Sequence, residues 1–600
     1  MLTTESLKPE VDPSYPSRWE AIVFRCKASL LQVRRSILNQ FIHPVQCYSS
    51  NDALLHQPVL AESITSLWTS QEAVEKTLIA GKIENLRVAV RQINGIEIPA
   101  NGLFSFWAQV GRPTQQKGYV VGRELRQGCI IPNLGGGLCQ LSNALYSAAL
   151  DARLAIVERH AHTQVIPGSL AEIGRDATVF WNYVDLRFQS LQPLRIEAFL
   201  TQDSLVVRFK GVPVQSPLPD HKSTQDKAAN DLQNNLRTPE HSPQSCLTCG
   251  VTGCFRNAPI NPTQTFGKTA YLVDEYWPEF DAYLQSHRQP QDLLASPLNG
   301  QHWKKANYAW NQTGFGTVKS ATGLTLKRAI ASRRLPAQGS SLQQLLLHFN
   351  EKLAQQYAAF LPYDVLHITV MQNLLPFLWM QGSLGGRTYD VLMTRLPLSV
   401  LQQRLDQAHQ NHPESPTLAD FRSSADLIEA ETQVLRGARL LITPHAEIAA
   451  LFPQKAVLLD WHLPTIQTPP KPGNRILFPA STLGRKGAYE LRKVALELDL
   501  ELTVLGRELE GEAFWQGLTV HAVEGNALDG IGLVVLPAYV EHQPRILLRA
   551  IAAQIPVIAT TACGLDHIPQ VTTIPTGHEA ALKQAILFHQ SKGMLPMLKP

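Results

Sequence analysis

The sequence predicts a multidomain protein with an α+β N-terminal domain, a disordered linker that ends at a cysteine-rich turn, and two C-terminal α/β units with parallel sheets. Three observations indicate this organisation. The 600 residues are 44% hydrophobic and 17% charged, which is typical of several globular domains with large cores. A polar segment interrupts the chain at residues 216–245, and strand-like apolar runs alternate with helical patterns from residue 266 onward.

The N-terminal segment from Trp19 to Ile42 has apolar residues at helical spacing with basic residues such as Arg34 and Arg35 between them. This pattern predicts a helix that packs on its own domain; the alternative is a basic helix that makes peripheral contact with a membrane surface. No apolar run is long enough for a membrane span, and no signal-peptide pattern follows Met1, so we expect a cytoplasmic protein. The net charge of +4 is too small for this length to indicate a nucleic-acid partner.

A glycine turn, Gly135–Gly137, stands just before Cys139, and apolar residues then recur at helical spacing. A helix that opens on such a turn presents free N–H groups and the positive end of its dipole to the thiol, which favours the reactive thiolate. His160 and His162 follow the helix, and Asp176 follows on the next predicted strand. This order of nucleophile, base and orienting carboxylate is typical of a Cys-His-Asp site, with either histidine as the base. The alternative is that Cys139 is a small buried residue without chemistry.

These residues lie in a stretch from about Asn101 to about Gly211 that resembles the VanW-like domain. The resemblance rests on six blocks in the same order: Asn101–Phe106, Val110–Thr114, Lys117–Tyr119, Gly135–Ser142, Glu158–His162 and Gly174–Val179. It implies a VanW-like domain within residues 1–215. The order of Cys, His and Asp is also similar to that of transglutaminase-type and papain-like enzymes, an analogy of arrangement that implies acyl-transfer or peptidase chemistry.

The linker, residues 216–245, is rich in polar residues and has too few large apolar side chains to order itself. A cysteine-rich segment follows at residues 246–265, in which Cys246 and Cys249 form a C-x2-C turn and Cys254 supplies a third sulfur. We expect these thiolates to hold zinc with a fourth ligand, or an iron–sulfur cluster with one open iron position. The alternative is a redox or structural cysteine turn without a metal.

The C-terminal half contains two series of strands that alternate with helical patterns, which is typical of parallel α/β sheets. A Pro-rich hinge, Thr468–Gly473, separates a unit at residues 266–467 from a unit at residues 468–600. The predicted strands are Lys268–Val273, Asp364–Val370, Tyr389–Thr394 and Ala438–Thr443, then Arg475–Pro479, Glu501–Gly506, Leu533–Pro537 and Pro556–Thr560. The rest of the apolar run Val365–Met380 is predicted to be a loop. Two such units joined by a hinge create a cleft, where ligands commonly bind.

Three blocks of the last unit resemble the C-terminal half of GT-B glycosyltransferases of the group 1 class, which consist of two Rossmann-like units. The blocks are Gly484–Gly487, Leu536–Glu541 and Arg549–Thr560 with Gly564 and Leu565. The resemblance implies a nucleotide-diphosphate sugar as donor, with Arg485 and Lys486 at the diphosphate and Glu541 at the sugar. Two cations beside a glycine loop at a helix start suit a diphosphate. His367 stands where the family often has a histidine near the sugar, with a core histidine as the alternative.

The sequence departs from this family at one donor-binding position. The family places a second glutamate eight positions after the first, where this chain has Arg549. A carboxylate accepts hydrogen bonds from the ribose hydroxyls, whereas an arginine only donates. We therefore expect Arg549 to bind an extra phosphate or a carboxylate, or to form a salt bridge with Glu541 in a non-catalytic fold.

Three functions follow from these patterns. The first is glycosyl transfer from a nucleotide-diphosphate sugar to an acceptor such as a cell-envelope precursor. The second is a non-catalytic, envelope-related accessory or scaffold role with a degenerate GT-B module. The third is acyl-transfer or peptidase chemistry that depends on Cys139.

Overall fold

The computed structural model describes residues 18–42, 45–70, 73–126, 129–162, 170, 172–213, 244–246, 267–336, 339–419, 422–523 and 525–591. These residues fall in two compact units. The first unit comprises the chain up to Gly267 together with Gly382–Arg387, and the second comprises Lys268–Gln381 and the chain from Thr388 onward. The first break therefore lies two residues from the domain boundary predicted at residue 265.

The first unit contains helices together with mainly antiparallel strands, as an α+β domain does. Its helices are α1 Arg18–Ile37, α2 Ala73–Ile93, α3 Phe106–Val110 and α4 Cys139–Asp151. Its strands are β1 Val59–Ser66, β2 Ile96–Ile98, β3 Leu103–Ser105, β4 Val121–Arg126, β5 Cys129–Leu134, β6 Ala155–Glu158, β7 Arg187–Gln189, β8 Leu194–Leu200, β9 Ser204–Gly211 and β10 Gln244–Ser245.

Three small sheets build the described part of this unit. Strands β1, β9, β8 and β2 form an antiparallel sheet in that order, and β3, β7 and β6 form a second. Strands β4 and β5 pair antiparallel, and β10 adds to β5 in parallel. Alternate residues of β9, such as Leu205, Val207 and Phe209, are buried under α4 because successive side chains of a strand point to opposite faces.

The structure of the first unit differs from two of the sequence predictions. The predicted linker runs to Ser245, yet Gln244 and Ser245 pair with Cys129 and Ile130 because their backbone completes the open edge of β5. Asp176 was expected on a strand, but its segment has no regular secondary structure. Side-chain hydrogen bonds rather than a strand ladder hold that segment, as described below for the site.

Helix α1 contacts its own unit along one face and leaves large apolar side chains in solvent on another. The guanidinium of Arg35 pairs with Glu158, and Gln32 donates a hydrogen bond to the Trp181 carbonyl at 3.1 Å. Trp19 and Leu30, by contrast, are 71% and 72% exposed. Membrane contact through this helix therefore stays a prediction. Within the described residues, no helix is long and apolar enough to cross a membrane.

The second unit alternates strand and helix through most of its length. Its strands are β11 Lys268–Leu272, β12 Leu293–Ser296, β13 Thr317–Ser320, β14 Val365–Met371, β15 Thr388–Leu392, β16 Leu441–Thr443, β17 Ala456–Leu458, β18 Arg475–Phe478, β19 Leu502–Val504, β20 Val520–Ala522, β21 Ile531–Leu536, β22 Val557–Thr560 and β23 Val571–Ile574. Its helices are α5 Pro278–His287, α6 Thr322–Ser332, α7 Ser340–Phe360, α8 Leu375–Met380, α9 Leu398–Asn411, α10 Ala425–Gly437, α11 Ala446–Ala450, α12 Ala488–Glu497, α13 Arg545–Ala552 and α14 Glu579–Ser591.

The strands of the second unit form two parallel sheets in the described part of the chain. Seven strands pair in the order β13-β12-β11-β14-β15-β16-β17, and six pair in the order β20-β19-β18-β21-β22-β23. Every pairing in both sheets is parallel. This topology confirms the predicted fold class of two parallel α/β sheets. The sequence analysis identified the most apolar strands and missed the weaker ones, β12, β13, β17, β20 and β23.

Helix α8 corrects one local prediction. Residues 375–380 were expected to form a loop, because Pro376 interrupts the apolar run. Pro376 lies in the first turn of α8, where a helix has no need of the missing N–H group and tolerates the ring. The same short helix buries Leu375, Phe377 and Leu378 in the unit.

Asn85 on α2 fastens the glycine turn of the first unit to the neighbouring strand. Its side chain is fully buried, and Nδ2 donates to the carbonyls of Val120 at 3.0 Å and Gly136 at 2.9 Å. Oδ1 accepts the Val120 N–H at 2.8 Å. A Cβ atom at Gly136 would lie 2.7 Å from the Gly122 backbone, so the turn and β4 are in direct backbone contact. Only glycine allows this approach.

We predict that Asn85→Ala lowers the free energy of unfolding of the first unit by about 2–4 kcal/mol, because buried backbone groups lose their partners. Denaturant titration of the full-length protein measures the change. Gln116→Ala, which removes an exposed side chain from the same unit, is the matched control. An equal effect of the two variants would show that Asn85 does not hold the turn.

Candidate functional site

The glycine turn sets the start of α4, so that Cys139 is the first residue of the helix. Gly135 and Gly137 have φ angles of 74° and 100°, a region that other residues rarely adopt. A Cβ at Gly137 would also overlap the buried side chain of Lys82. The N–H groups of Gly137, Leu138 and Cys139 donate to no residue in the described ranges, as is usual at the first turn of a helix.

Three of the residues predicted for the thiol site come together beside this turn. Nδ1 of His162 lies 2.6 Å from Oδ1 of Asp176, and the second carboxylate oxygen accepts the backbone N–H of His162. The Cys139 thiol lies close enough to raise the pKa of this imidazole, and because Asp176 occupies Nδ1, Nε2 is the ring nitrogen left for the sulfur. The side chains are arranged from accessible to buried: Cys139 is partly exposed, His162 is 18% exposed and Asp176 is 3% exposed.

The charge state of His162 follows from these contacts. Burial lowers the pKa of the imidazole, but the hydrogen bond to Asp176 and the proximity of Cys139 outweigh it, raising the pKa from 6.5 to about 10. His162 is therefore an imidazolium at neutral pH. A protonated imidazole between a carboxylate and a sulfur is the arrangement that stabilises a thiolate.

The structure decides which histidine belongs to the site. His160 is 49% exposed, and its Nε2 lies 3.4 Å from Glu158 rather than near the thiol. Its carbonyl accepts the N–H of Thr178 at 2.8 Å, so it ties the two segments together through the backbone. His162 is thus the candidate base, and His160 is a surface residue beside it.

The thiol has further neighbours on the segment that carries Asp176. The Cys139 Sγ lies 3.7 Å from Thr178 Oγ1 and 3.8 Å from the Val179 carbonyl oxygen. Ser142, one turn further along α4, donates to the Ala177 carbonyl at 2.5 Å. These contacts hold the sulfur at the edge of the core, with one side open to solvent.

The metal prediction rests on residues that the structure mostly does not describe. Cys249 and Cys254 lie outside the described ranges. Cys246 donates its backbone N–H to the Ile130 carbonyl at 2.9 Å, next to the pairing of β10 with β5. Among the described side chains, no group of three or more His, Cys, Asp or Glu has the placement to hold a metal ion. Zinc or an iron–sulfur cluster at this turn stays a prediction.

The donor-site residues predicted in the second unit lie at the carboxyl ends of its parallel strands. The chain leaves β18, forms a tight turn at Gly484–Lys486 and enters α12. The Arg485 carbonyl accepts the N–H groups of Tyr539 at 2.9 Å and Val540 at 3.1 Å, just beyond β21. Gly487, with a φ of 77°, permits this contact, because a Cβ there would overlap the Pro537 carbonyl.

Lys486 and Glu541 form an ion pair at this point. Nζ of Lys486 lies 2.9 Å from a Glu541 carboxylate oxygen and 3.1 Å from the Val540 carbonyl. Burial raises the pKa of Glu541, but the charge and hydrogen bond of Lys486, the N–H of Gln543 and the charge of Arg485 outweigh it and hold the pKa below its usual value. The site therefore contains an ionised carboxylate beside two cations.

His367 does not belong to this cluster, which corrects the prediction. It is the third residue of β14, near the amino end of the strand, whereas the donor-site residues lie at carboxyl ends. Its Nδ1 lies 2.8 Å from Thr388 Oγ1 and its Nε2 lies 3.1 Å from Asp390 Oδ2. The alternative considered for it, a structural histidine, fits these contacts.

His445 was not predicted from the sequence, and it lies against Glu541 in the structure. His445 follows β16 by two residues, is 1% exposed, and its Nε2 donates to the carbonyls of Glu541 at 3.0 Å and Ala562 at 3.2 Å. Burial lowers its pKa, so the ring is neutral and its Nδ1 accepts the Ile448 N–H. A histidine just beyond an apolar strand was the signal that could have found it.

Glu510 is a second missed residue. Its carboxylate accepts the N–H of Gly484 at 2.5 Å, the hydroxyl of Ser415 at 2.6 Å and the hydroxyl of Tyr489 at 3.0 Å. It therefore fixes the turn that carries Arg485 and Lys486 to the chain after α9. No motif in the sequence marks this role.

Arg549 stands apart from Glu541. It lies in the last turn of α13, its side chain is exposed, and it donates to Asn526 Oδ1 at 3.4 Å. The ion pair that the structure gives to Glu541 is the one with Lys486. The predicted salt bridge between Arg549 and Glu541 is wrong, because the helix directs the guanidinium towards the Asn526 loop.

The first unit matches a known family in part. Residues 81–210 match the family model described as VanW like protein, which confirms the resemblance seen in the sequence blocks. YoaR of Bacillus subtilis, described as uncharacterized, is 36% identical over 20% of this chain and 41% of its own length. The vancomycin B-type resistance protein VanW of Enterococcus faecalis is 28% identical over 24% of this chain and 54% of its own length. The chain thus spans about half the length of these curated relatives.

Solved glycosyltransferase structures show a distant likeness to the chain. Sucrose-phosphate synthase from Thermosynechococcus elongatus is 14% identical with a TM-score of 0.34, covering 55% of this chain and 92% of that one. The lipopolysaccharide outer core galactosyltransferase WaaB is 13% identical with a TM-score of 0.32 and the same coverage. WaaG, a glycosyltransferase of lipopolysaccharide biosynthesis, is 14% identical with a TM-score of 0.32, covering 54% and 91%. At this level of sequence identity, the likeness concerns the fold alone.

We predict that His162 stabilises the first unit in a pH-dependent way. Because its pKa is raised on folding, its contribution is complete below about pH 6.5 and declines as the pH rises towards about 10. Denaturant titrations of the wild type and His162→Gln should therefore differ more at about pH 6 than at about pH 10. His160→Gln, at the more exposed neighbour, is the control. A difference that does not change with pH would contradict the protonated state of His162.

Proposed function

We propose that the second unit transfers a sugar from a nucleotide-diphosphate donor to an acceptor. The observation that carries this proposal is the meeting of Arg485, Lys486 and Glu541 at the carboxyl ends of β18 and β21. Ligands of parallel α/β sheets bind at this edge. The sequence blocks around the same three residues resemble the donor site of group 1 GT-B enzymes.

Each of these residues has a separate task in the proposed reaction. The departing nucleoside diphosphate carries the negative charge that develops as the sugar leaves, and the cations Arg485 and Lys486 neutralise it. The ionised Glu541 accepts hydrogen bonds from sugar hydroxyls, for which an acceptor-only group is suited. His445 holds the Glu541 backbone from the other sheet and so positions that carboxylate.

The acceptor class is proposed on the first unit alone. Part of that unit is similar to the vancomycin B-type resistance protein VanW, and this supports an acceptor from the cell envelope. In this proposal, the VanW-like unit presents the acceptor or acts in a linked step.

A non-catalytic, envelope-related accessory or scaffold role is the second candidate, and Arg549 favours it. The family has a ribose-binding carboxylate at this position, and the chain has an exposed arginine that contacts Asn526. A site without that acceptor binds a donor less well or binds a different anion. Nucleotide binding by the Lys486→Met, Arg485→Ala and Arg549→Glu variants distinguishes this role from that of a working transferase.

We predict that a nucleoside diphosphate or its sugar raises the melting temperature of the full-length protein. Ligand at a hundred times its Kd stabilises the folded state by about 2.7 kcal/mol. Lys486→Met and Arg485→Ala should each abolish the shift, measured against the melting temperature of the same variant without ligand. Lys493→Met removes an equal charge from an exposed position on α12 and should leave the shift intact. The absence of any shift across the nucleotides would refute the donor site.

We predict that Arg549→Glu weakens binding of the same nucleotide by about tenfold, or 1.4 kcal/mol, because the substitution replaces a cation on α13 with an anion that repels the diphosphate. Isothermal titration calorimetry measures the change. Tighter binding by Arg549→Glu, or turnover gained only in this variant, would instead show that the natural site is degenerate and that the accessory role is correct.

A further inference from the structure

We infer that the first unit has an activity of its own, acyl transfer through a thioester on Cys139, with an amide or ester carbonyl as the substrate group. The inference rests on the contacts of the Cys139 sulfur, at the first turn of α4, with Thr178 and Val179, and on the hydrogen bonds that hold His162 to Asp176 on the same segment. It is independent of the glycosyl transfer proposed for the second unit.

The accessibility of the three side chains suits a nucleophile with a supported base. The thiol of Cys139 is partly open to solvent, so a substrate carbonyl can approach it. His162 is 18% exposed and stands behind the sulfur, and Asp176 is 3% exposed behind the ring. A cysteine that only fills the core would have no need of an open side or of a histidine held in place.

Asp176 fixes His162 in one orientation. One carboxylate oxygen lies 2.6 Å from Nδ1, and the other accepts the backbone N–H of the same residue. Because both the ring and its own backbone are tied to one carboxylate, rotation about the side-chain bonds would break a buried hydrogen bond. The second ring nitrogen, which Asp176 does not contact, is thereby held in one orientation, as a catalytic base requires.

The start of α4 supplies the groups that an acyl-transfer intermediate needs. The N–H groups of Gly137, Leu138 and Cys139 are free of partners among the described residues, and the helix dipole adds positive potential there. Attack of sulfur on a carbonyl places a negative oxygen beside the attacking atom. Backbone N–H donors at this position stabilise that oxygen.

These groups and an incoming nucleophile complete the acyl transfer in two steps. The Cys139 sulfur attacks the carbonyl carbon, an S–C bond forms, and the C–N or C–O bond of the substrate breaks. The His162 imidazolium gives its proton to the departing amine or alcohol. Water or a second amine or hydroxyl then attacks the thioester, His162 takes the proton of that nucleophile, and the thiolate leaves.

The test uses p-nitrophenyl acetate with the full-length protein, followed by mass spectrometry of the intact chain and its peptides. The expected result is a burst of nitrophenolate and one acetyl group on Cys139. The exposed thiols of Cys26 and Cys47 in the same chain are internal controls, and Cys139 should be acetylated at least about tenfold faster than either. Cys139→Ala should abolish the burst, and Cys47→Ala should leave it unchanged.

Variants of the supporting residues separate catalysis from structure. His162→Gln should slow acetylation of Cys139 by about a hundredfold, and Asp176→Asn by about tenfold, in preparations whose circular dichroism matches the wild type. In the unaltered protein, iodoacetamide should label Cys139 at least about tenfold faster than the exposed Cys47. This second measurement needs no variant, so it is decisive even where a variant fails to fold.

The inference is overturned if Cys139 is acetylated and alkylated no faster than Cys47, or if His162→Gln folds and reacts like the wild type. Neither result bears on the nucleotide-dependent shift assigned to Lys486, which is measured separately. Conversely, a failure of every nucleotide to bind leaves the thiol measurements unaffected. The two proposed activities are therefore tested by independent measurements.

Discussion

The thiol site depends on one buried carboxylate, that of Asp176. A carboxylate that is 3% exposed is costly to bury unless its oxygens are bound, and here both are bound by His162. The neighbouring backbone is held in the same way: Asn143 accepts the Ala177 N–H at 2.8 Å, and Arg159 donates to the Asp176 carbonyl at 2.7 Å. These bonds replace a strand ladder, and they bring the histidine segment, the aspartate segment and α4 to one point.

The second unit uses buried carboxylates for the same purpose. Glu510 binds the N–H of Gly484 and so fixes the turn that carries the two cations. Glu279 on α5 is buried and forms a bidentate pair with Arg545 on α13, at 2.6 and 2.9 Å. In each case a charged group inside the unit is compensated by directed hydrogen bonds, so its position is determined much more closely than apolar packing alone would determine it.

Those parts of the site that depend only on neighbouring residues could be predicted from the sequence. The glycine turn before Cys139 predicted the start of a helix, and the helix begins at that residue. The choice between His160 and His162 was beyond the sequence, because residues two apart in an extended segment share a face. Asp176 decides it, since its carboxylate binds the ring and the backbone of His162. That contact crosses fourteen positions of the chain, and no local pattern reports it.

Strand direction explains why one histidine was chosen wrongly and another missed. His367 and His445 both belong to apolar runs of the same parallel sheet, and residue type does not distinguish them. His367 occupies the third position of β14, whereas His445 follows the last residue of β16. Only the carboxyl ends of parallel strands lead into the loops that bind ligands, so an exact strand boundary is needed to separate the two residues. Such boundaries are the least certain part of a pattern-based prediction.

The fold accommodates an arginine at position 549 because the arginine one turn earlier on α13 has its charge neutralised. Arg545 lies four residues earlier, and like charges at this spacing normally destabilise a helix. Arg545 is neutralised by Glu279 and its guanidinium lies over the rings of Trp277 and Trp461, at 5.3 and 5.5 Å. Its charge is therefore already satisfied, and Arg549 remains in solvent beside Asn526. An arginine at this position thus leaves the packing of the helix intact.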